Sequence, residues 1–272
     1  MSFWANVLRF MDSKMETPTI YGAIHIIWIL LTIATTYLLC RYFKNADNKK
    51  IRNIIAATAI VVFLLEIYKQ INYSFSYENG IVFSYQWYAF PFQFCSTPMY
   101  IGLLTLVFRK GKVHEYLCSY LATFACFAGL CVLIYPGDVY CSTIGINIQT
   151  MVCHGSMIIL AVYLLYTGYV KLEVKTVLKG AVVFTCCIVL AIIMNEIAYV
   201  SGLLEKHTFN MFLISPHCEP SLPVYSIVQN NVAYPWCLIF YVGAFTAASF
   251  VIIGIGMLIK KIATKQSKIK AE

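Results

Sequence analysis

Seven stretches rich in apolar residues follow one another along this chain: Ile20–Cys40, Asn53–Asn72, Phe90–Phe108, Tyr116–Tyr135, Gln149–Tyr169, Leu178–Val200 and Tyr234–Ile259. A helix rises about 1.5 Å per residue, so runs of about 20 residues match the roughly 30 Å hydrocarbon core of a bilayer. In lipid every backbone polar group must be satisfied within its own segment, which makes the spans helical. The expected fold is an all-α membrane protein, a seven-transmembrane-helix bundle that forms a single integral membrane domain over residues 1–272. Pro91 and Pro98 interrupt the third run and make it the least regular.

The composition agrees: 60% of residues are hydrophobic and 12% charged, which excludes an ordinary soluble domain. Basic residues set the orientation. Arg41, Lys44, Lys49, Lys50 and Arg52 fill the first linker; Arg109, Lys110 and Lys112 the third; Lys171, Lys175 and Lys179 the fifth; Lys260, Lys261, Lys265, Lys268 and Lys270 follow the last span. Short basic linkers stay cytoplasmic, which puts the amino terminus outside and the carboxyl terminus inside. The expected location of this multi-pass chain is the cell membrane. The net charge of +8 is then topological and does not point to nucleic acid. The first apolar run is a full span without a small-residue cleavage site, so no cleaved signal peptide is expected.

Elaboration falls on the other side. Residues 73–89 carry Tyr73, Tyr77, Tyr85, Trp87 and Tyr88, the composition of an aromatic belt. Pro136-Gly137-Asp138 signals a turn. The loop 201–233 is both long and apolar, as in a lid or a re-entrant segment. Phe3, Trp4, Val7, Leu8 and Met11 share one helical face, which suits a short interfacial helix.

Polar groups in the spans gather at one depth. His25, Glu66, Lys69, Gln70, Gln93, Cys95, Gln149, His154, Asn195 and Glu196 all fall one to two helical turns below the outer surface. Ionisable groups in hydrocarbon are expensive and mark function unless they merely pair. Cys95 stands in the segment Phe90-Pro91-Phe92-Gln93-Phe94-Cys95-Ser96-Thr97-Pro98, and His154 at matching depth in the fifth span. A thiol beside an imidazole forms a nucleophile, whereas an isolated cysteine in a span is ordinary filler and an isolated histidine a helix-to-helix hydrogen bond. Glu66 and Lys69 lie on one helix face beside Gln70 and form either an internal ion pair or the lining of a headgroup cavity. Asn195 and Glu196 face the same choice, and Glu196 is a candidate to orient His154. Gln93, Ser96, Thr97 and Asn195 are candidate oxyanion donors.

Among the eleven cysteines, Cys141 and Cys218 sit in outer loops and are candidates for a disulfide. His207, His217, Cys218 and Glu219 match no metal spacing, so no metal and no cofactor is expected.

Four stretches carry a resemblance to a known family. Phe90–Ser96, the pair His154-Gly155, Asn210-Met211-Phe212-Leu213, and Ser221-Leu222 followed by Tyr234-Pro235-Trp236 occur in the order seen in the YwaF-like integral membrane proteins, the transmembrane protein 164 group. This resemblance implies a multi-span, cysteine-dependent acyltransferase that moves a fatty acyl chain onto a lysophospholipid. The androgen-induced fatty-acid-ester hydrolases are distantly similar. The resemblance assigns Cys95 as nucleophile and His154 as base, with Asn210 in the lid. The expected activity is lipid acyl transfer or acyl hydrolysis through a thioester, with a membrane phospholipid or lysophospholipid as partner and no obligate protein partner. The rival readings are a small-solute or ion-coupled transporter, for which the inner halves of the spans are too apolar, and a non-catalytic lipid binder. A retinal protein lacks the lysine it needs in the last span.

Overall fold

The computed structural model describes residues 3–78, 80–204, 208–219 and 223–269. Ten α-helices, two short 3-10 helices (Trp87–Ala89 and Met211–Leu213) and one small hairpin account for the regular structure among these residues. Helix α1 (Phe3–Met11) lies across one end of the bundle. Helices α2 (Ala23–Phe43) and α3 (Asn48–Ser74) follow, then strands β1 (Phe75–Ser76) and β2 (Val82–Phe83). Next come α4 (Thr97–Val107), α5 (Gly111–Ala122), α6 (Phe124–Ile134), α7 (Ile144–Tyr166), α8 (Val174–Ser201), α9 (Pro223–Asn231) and α10 (Tyr234–Ile269).

Local chemistry sets the boundaries. The Asp47 carboxylate accepts from the Lys50 amide at 2.7 Å and caps α3. Gly202 adopts φ +62°, the left-handed conformation that ends α8. Thr123 (φ −123°, ψ −78°) separates α5 from α6, and its hydroxyl donates to the Ser119 carbonyl at 2.7 Å.

Among the described residues, six helices are long and apolar enough to cross a membrane. They are Ala23–Phe43, Asn48–Ser74, the consecutive pair Gly111–Ile134, Ile144–Tyr166, Val174–Ser201 and Tyr234–Gln266. The structure therefore departs from seven regular spans. The third apolar run yields only the 11-residue α4, about 16 Å of rise, or half a bilayer core. The proline-bracketed stretch before it is irregular. Pro91 cannot donate to a helix ladder, and Pro98 belongs in a first turn, where its missing N–H costs nothing.

Helix α7 is the central element. Its buried residues face α2, α3, α5 and α6, whereas α2 and α10 sit at the periphery with most of their apolar side chains exposed. Close approaches fix the packing. A Cβ on Gly102 of α4 would fall 2.8 Å from the Ala59 Cβ of α3, and one on Gly129 of α6 would fall 2.6 Å from the His154 carbonyl oxygen of α7. On the far side of α7, an aromatic core forms from Phe94, Phe184, Phe212, Tyr241 and Phe245, with ring centroids 4.5–6.2 Å apart.

The lysine- and arginine-rich linkers collect at one end of the bundle. The long loops collect at the other. There, α1 is tied down by Tyr68 and Asn72, both of which donate to the Met11 carbonyl. Its Phe3, Trp4 and Phe10 side chains stay exposed, as suits an interfacial helix.

Candidate functional site

Helix α3 carries the first polar group. Glu66 is 5% exposed and accepts from Lys69 Nζ at 2.7 Å and from Gln70 Nε2 at 2.8 Å. Gln70 also donates to the Ala89 carbonyl at 2.8 Å, which anchors the irregular stretch onto α3. The Gln149 amide reaches the second Glu66 oxygen from α7 at 3.5 Å, and the Thr150 hydroxyl donates to Gln149 at 3.4 Å. The buried Thr150 carbonyl then accepts from His154 Nδ1 at 2.7 Å. Glu66, Lys69, Gln70, Gln149 and His154 thus form one polar group across α3 and α7.

Cys95 borders this group. Its carbonyl oxygen lies 3.7 Å from the Cys153 sulfur, on the residue next to His154. The Lys69 ammonium is within electrostatic reach of Cys95, Cys153 and His154, and the Ser96 hydroxyl interacts with the Cys95 thiol. Cys95 stands in the irregular stretch two residues before α4, and His154 lies eleven positions into α7.

The protonation pattern of His154 is decided by its neighbour. A carbonyl oxygen can only accept, so Nδ1 carries the hydrogen and, in the neutral ring, Nε2 presents a lone pair. That Nε2 is buried and, among the described residues, has no hydrogen-bond partner, the Cys95 sulfur included. A buried polar atom without a partner is uncommon and calls for an explanation.

A second polar group serves another purpose. Gln93 donates to the Asn210 carbonyl and accepts from the Phe212 amide, both at 2.9 Å. Asn195 grips Met211 in the same two-ended way, at 3.1 and 2.8 Å. The Asn210 side chain accepts from the Ser215 amide at 2.9 Å, and Tyr241 donates to the Phe212 carbonyl at 3.0 Å. These bonds draw segment 209–215 into the bundle, where Met211, Phe212 and Ile214 are almost fully buried. The segment fills a gap among the helices as a plug. Phe212 and Leu213 take φ of +58° and +57°, at roughly 1–3 kcal/mol each for a non-glycine residue. Gln93 and Asn195, expected as oxyanion donors, are occupied at both ends of their amides by this plug.

Other expected members stand apart. His25 accepts from the Tyr21 amide just before α2 at 2.9 Å and donates to the Leu133 carbonyl of α6 at 2.8 Å, so both ring nitrogens are engaged. Thr97 donates to the Phe94 carbonyl and accepts from the Tyr120 hydroxyl at 2.6 Å. Glu196 does not orient His154. It is paired with His217 at 3.0 Å, and His217 stacks on Tyr199 at 3.5 Å. Cys141 and Cys218 are free thiols, turned instead to the carbonyls of Thr143 and Phe209. Among the described residues no three His, Cys, Asp or Glu groups gather as a metal site, and His207 lies outside those residues, as do Ser221 and Leu222.

The cavity that touches Cys153 and Pro98 is an apolar slot of about 20 Å³, room for a single water. Over the same chain, the TMEM164 family model matches residues 20–253. The chain belongs to the TMEM164 family. No curated protein and no solved structure matches it. In this TMEM164-family chain the match takes in all six long apolar helices, apart from the tail of α10, together with Cys95, His154 and the plug.

Sequence reasoning missed Cys153, Tyr120 and Tyr241. The dipeptide Cys153-His154 was the available signal for the first, since a cysteine adjacent to the histidine faces the neighbouring helix one hundred degrees round.

Proposed function

We propose that this chain is a membrane-embedded lipid acyltransferase or acyl hydrolase in which Cys95 is the nucleophile and His154 the base. What supports the reading is the buried His154 Nε2, an acceptor without a hydrogen-bond partner among the described residues, next in sequence to Cys153, whose sulfur lies 3.7 Å from the Cys95 carbonyl oxygen. A structural histidine ordinarily uses both nitrogens, as His25 does.

The chemistry runs in two halves. His154 Nε2 takes the Cys95 thiol proton, and the sulfur attacks a phospholipid ester carbonyl. The tetrahedral intermediate collapses to a thioester as the C–O bond breaks, and the imidazolium returns its proton to the departing lysolipid oxygen. A lysolipid hydroxyl then gives its proton to Nε2 and attacks the thioester. A new ester forms, and the sulfur leaves as a thiol on receiving that proton. Water in place of the lysolipid yields a free fatty acid. The Ser96 hydroxyl, as a neutral donor, and the Lys69 ammonium, as a charge, are the groups that would stabilise the developing oxyanion.

The 20 Å³ slot is lined by neither Cys95 nor His154 and is far too small for a lipid, so acyl transfer requires the bundle to open beside Cys95. Opening falls to the plug. Phe212 packs on Phe92 and Phe94, the residues flanking Gln93, at 5.8 and 5.9 Å. Withdrawing it exposes the approach to Cys95, and its return excludes water and favours transfer over hydrolysis. With the basic linkers read as cytoplasmic, the proposed site belongs to the outer leaflet half.

The test uses proteoliposomes holding the purified chain, phospholipid with a labelled acyl chain, and unlabelled lysolipid. The wild type should move label to the lysolipid or release it as fatty acid, and Cys95→Ala and His154→Ala should do neither. Full turnover in Cys95→Ala ends the proposal.

A further inference from the structure

A second concavity lies at the opposite end of the bundle, about 450 Å³ in volume and within the range of small-molecule sites, roughly 300–1,000 Å³. Three separate stretches of chain meet around it. Arg52 comes from the first turns of α3, Arg109 and Lys110 from the α4–α5 linker, and Lys171 and Lys179 from the α7–α8 linker and α8. Glu115 is the single carboxylate among the lining residues, and it is bound to Lys179 at 2.6 Å. Among the described residues, Arg52, Arg109, Lys110 and Lys171 join no ion pair.

Basic linkers are expected at this end on topological grounds alone, but topology requires no shared hollow. Here the floor is built. His114 donates from Nδ1 to the Phe108 carbonyl at 2.7 Å, so its Nε2 accepts from the Tyr169 hydroxyl at 2.7 Å. The Arg52 guanidinium lies within electrostatic reach of Tyr169, and the Cys118 thiol closes on the same His114 nitrogen at 3.4 Å. These bonds tie the α4–α5 linker and α5 to the α7–α8 linker, with Arg52 of α3 beside them. The amino terminus of the twelve-residue α5 opens at Lys110 and Gly111, on the rim, with no side-chain cap on its amides. Gly111 is at φ +83° with nothing within 4 Å of a Cβ, so the rim there is open space.

We propose that this hollow binds a phosphate-bearing anion, with Arg52, Arg109, Lys110 and Lys171 as its charge partners and the α5 amides as additional donors. Guanidinium forks and helix amino termini are the protein groups best matched to phosphate oxygens. Two sources share that chemistry: the headgroup of an anionic lipid in the adjoining leaflet and a soluble phosphate compound. Cys95 and His154 play no part, so the site stands or falls independently of the acyl-transfer reading.

The experiment uses the full chain purified in detergent, with pyrophosphate as the soluble probe followed by calorimetry and thermal shift. In parallel, nanodiscs of phosphatidylcholine alone are compared with nanodiscs that also contain phosphatidic acid, and the lipid retained is read by native mass spectrometry. Two pocket variants, Arg52→Gln/Lys171→Gln and Arg109→Gln/Lys110→Gln, are set against Lys260→Gln/Lys265→Gln, which removes the same charge from α10 outside the hollow. The expected result is salt-sensitive binding, weakened about tenfold or more in each pocket variant that remains monodisperse and unchanged in the α10 variant. Pyrophosphate binding in detergent identifies a soluble ligand; retention of phosphatidic acid alone identifies a headgroup. The proposal is overturned if neither probe binds, or if the α10 variant loses as much as the pocket variants.

Discussion

His154 donates its Nδ1 hydrogen to the Thr150 carbonyl one turn earlier on the same helix, at 2.7 Å, and leaves Nε2 buried without a partner among the described residues. One bond thereby fixes both the ring's orientation and its tautomer, with no carboxylate involved. The nearest carboxylate of the same group, Glu66, is already neutralised by Lys69 at 2.7 Å.

Replacing His154 with Gln should therefore remove acyl transfer without removing the fold. General-base catalysis is typically worth about 10²–10⁴ in rate. The variant should remain monodisperse by size exclusion, since the ring's one hydrogen bond is to a backbone carbonyl that the helix already engages. Turnover near the wild-type rate would show that Nε2 takes no part.

Gln93→Leu should loosen the plug. It strands the Phe212 amide and the Asn210 carbonyl in an apolar setting, at about 1–3 kcal/mol for each orphaned group. Hydrogen exchange at the amides of Met211 and Phe212 should accelerate while α7 amides stay protected. Unchanged exchange there would mean that Tyr241 and Asn195 hold the segment unaided.

Glu66→Gln should cost more than the double change Glu66→Gln/Lys69→Met. The single variant leaves the mostly buried Lys69 ammonium unpaired, a loss of about 3–5 kcal/mol when one partner of a buried pair is removed. Thermal unfolding in one detergent, compared across the two variants, checks the order.

The clasp at the loop-bearing end should depend on pH. Asp12 joins the amino-terminal segment to Thr143 and Tyr77. Burial raises its carboxyl pKa, but hydrogen bonds from Lys14, Tyr77 and Thr143 and the Lys14 charge outweigh this and hold it below its ordinary value. A depressed acid stabilises the fold above its unfolded pKa, about 3.9, and that contribution fades as pH falls through the lower folded value. Protection of the Met15 and Ile144 amides, which close the neighbouring bridge, should fall over that acidic window in the wild type and show less pH dependence in Asp12→Asn.

Much of this architecture was legible in the residues. Apolar length gave six of the long helices, and the charge of the linkers marked which of them share an end. The third run misled because hydropathy counts Phe90, Phe92 and Phe94 as span residues, whereas Pro91 and Pro98 confine the helix to Thr97–Val107. Depth put ten polar residues at one level, of which Glu66, Lys69, Gln70 and Gln149 are joined by direct bonds. Depth could not separate Gln93 and Asn195 from them, because what those amides bind is the backbone of residues 210–212, more than a hundred residues away from Gln93. Glu196 shared the level but not the face, and its partner His217 lies on a loop with no periodicity to read.

The central claim is a covalent acyl group on one sulfur. The purified chain is incubated with phospholipid of known acyl composition, quenched in acid and digested, and the Cys95 and Cys153 peptides are weighed. The account predicts an acyl-sized, hydroxylamine-sensitive mass on Cys95, absent from Cys153, abolished in Cys95→Ala and greatly reduced in His154→Gln. Acyl transfer proceeding in Cys95→Ala, or an adduct that forms equally without His154, would contradict it.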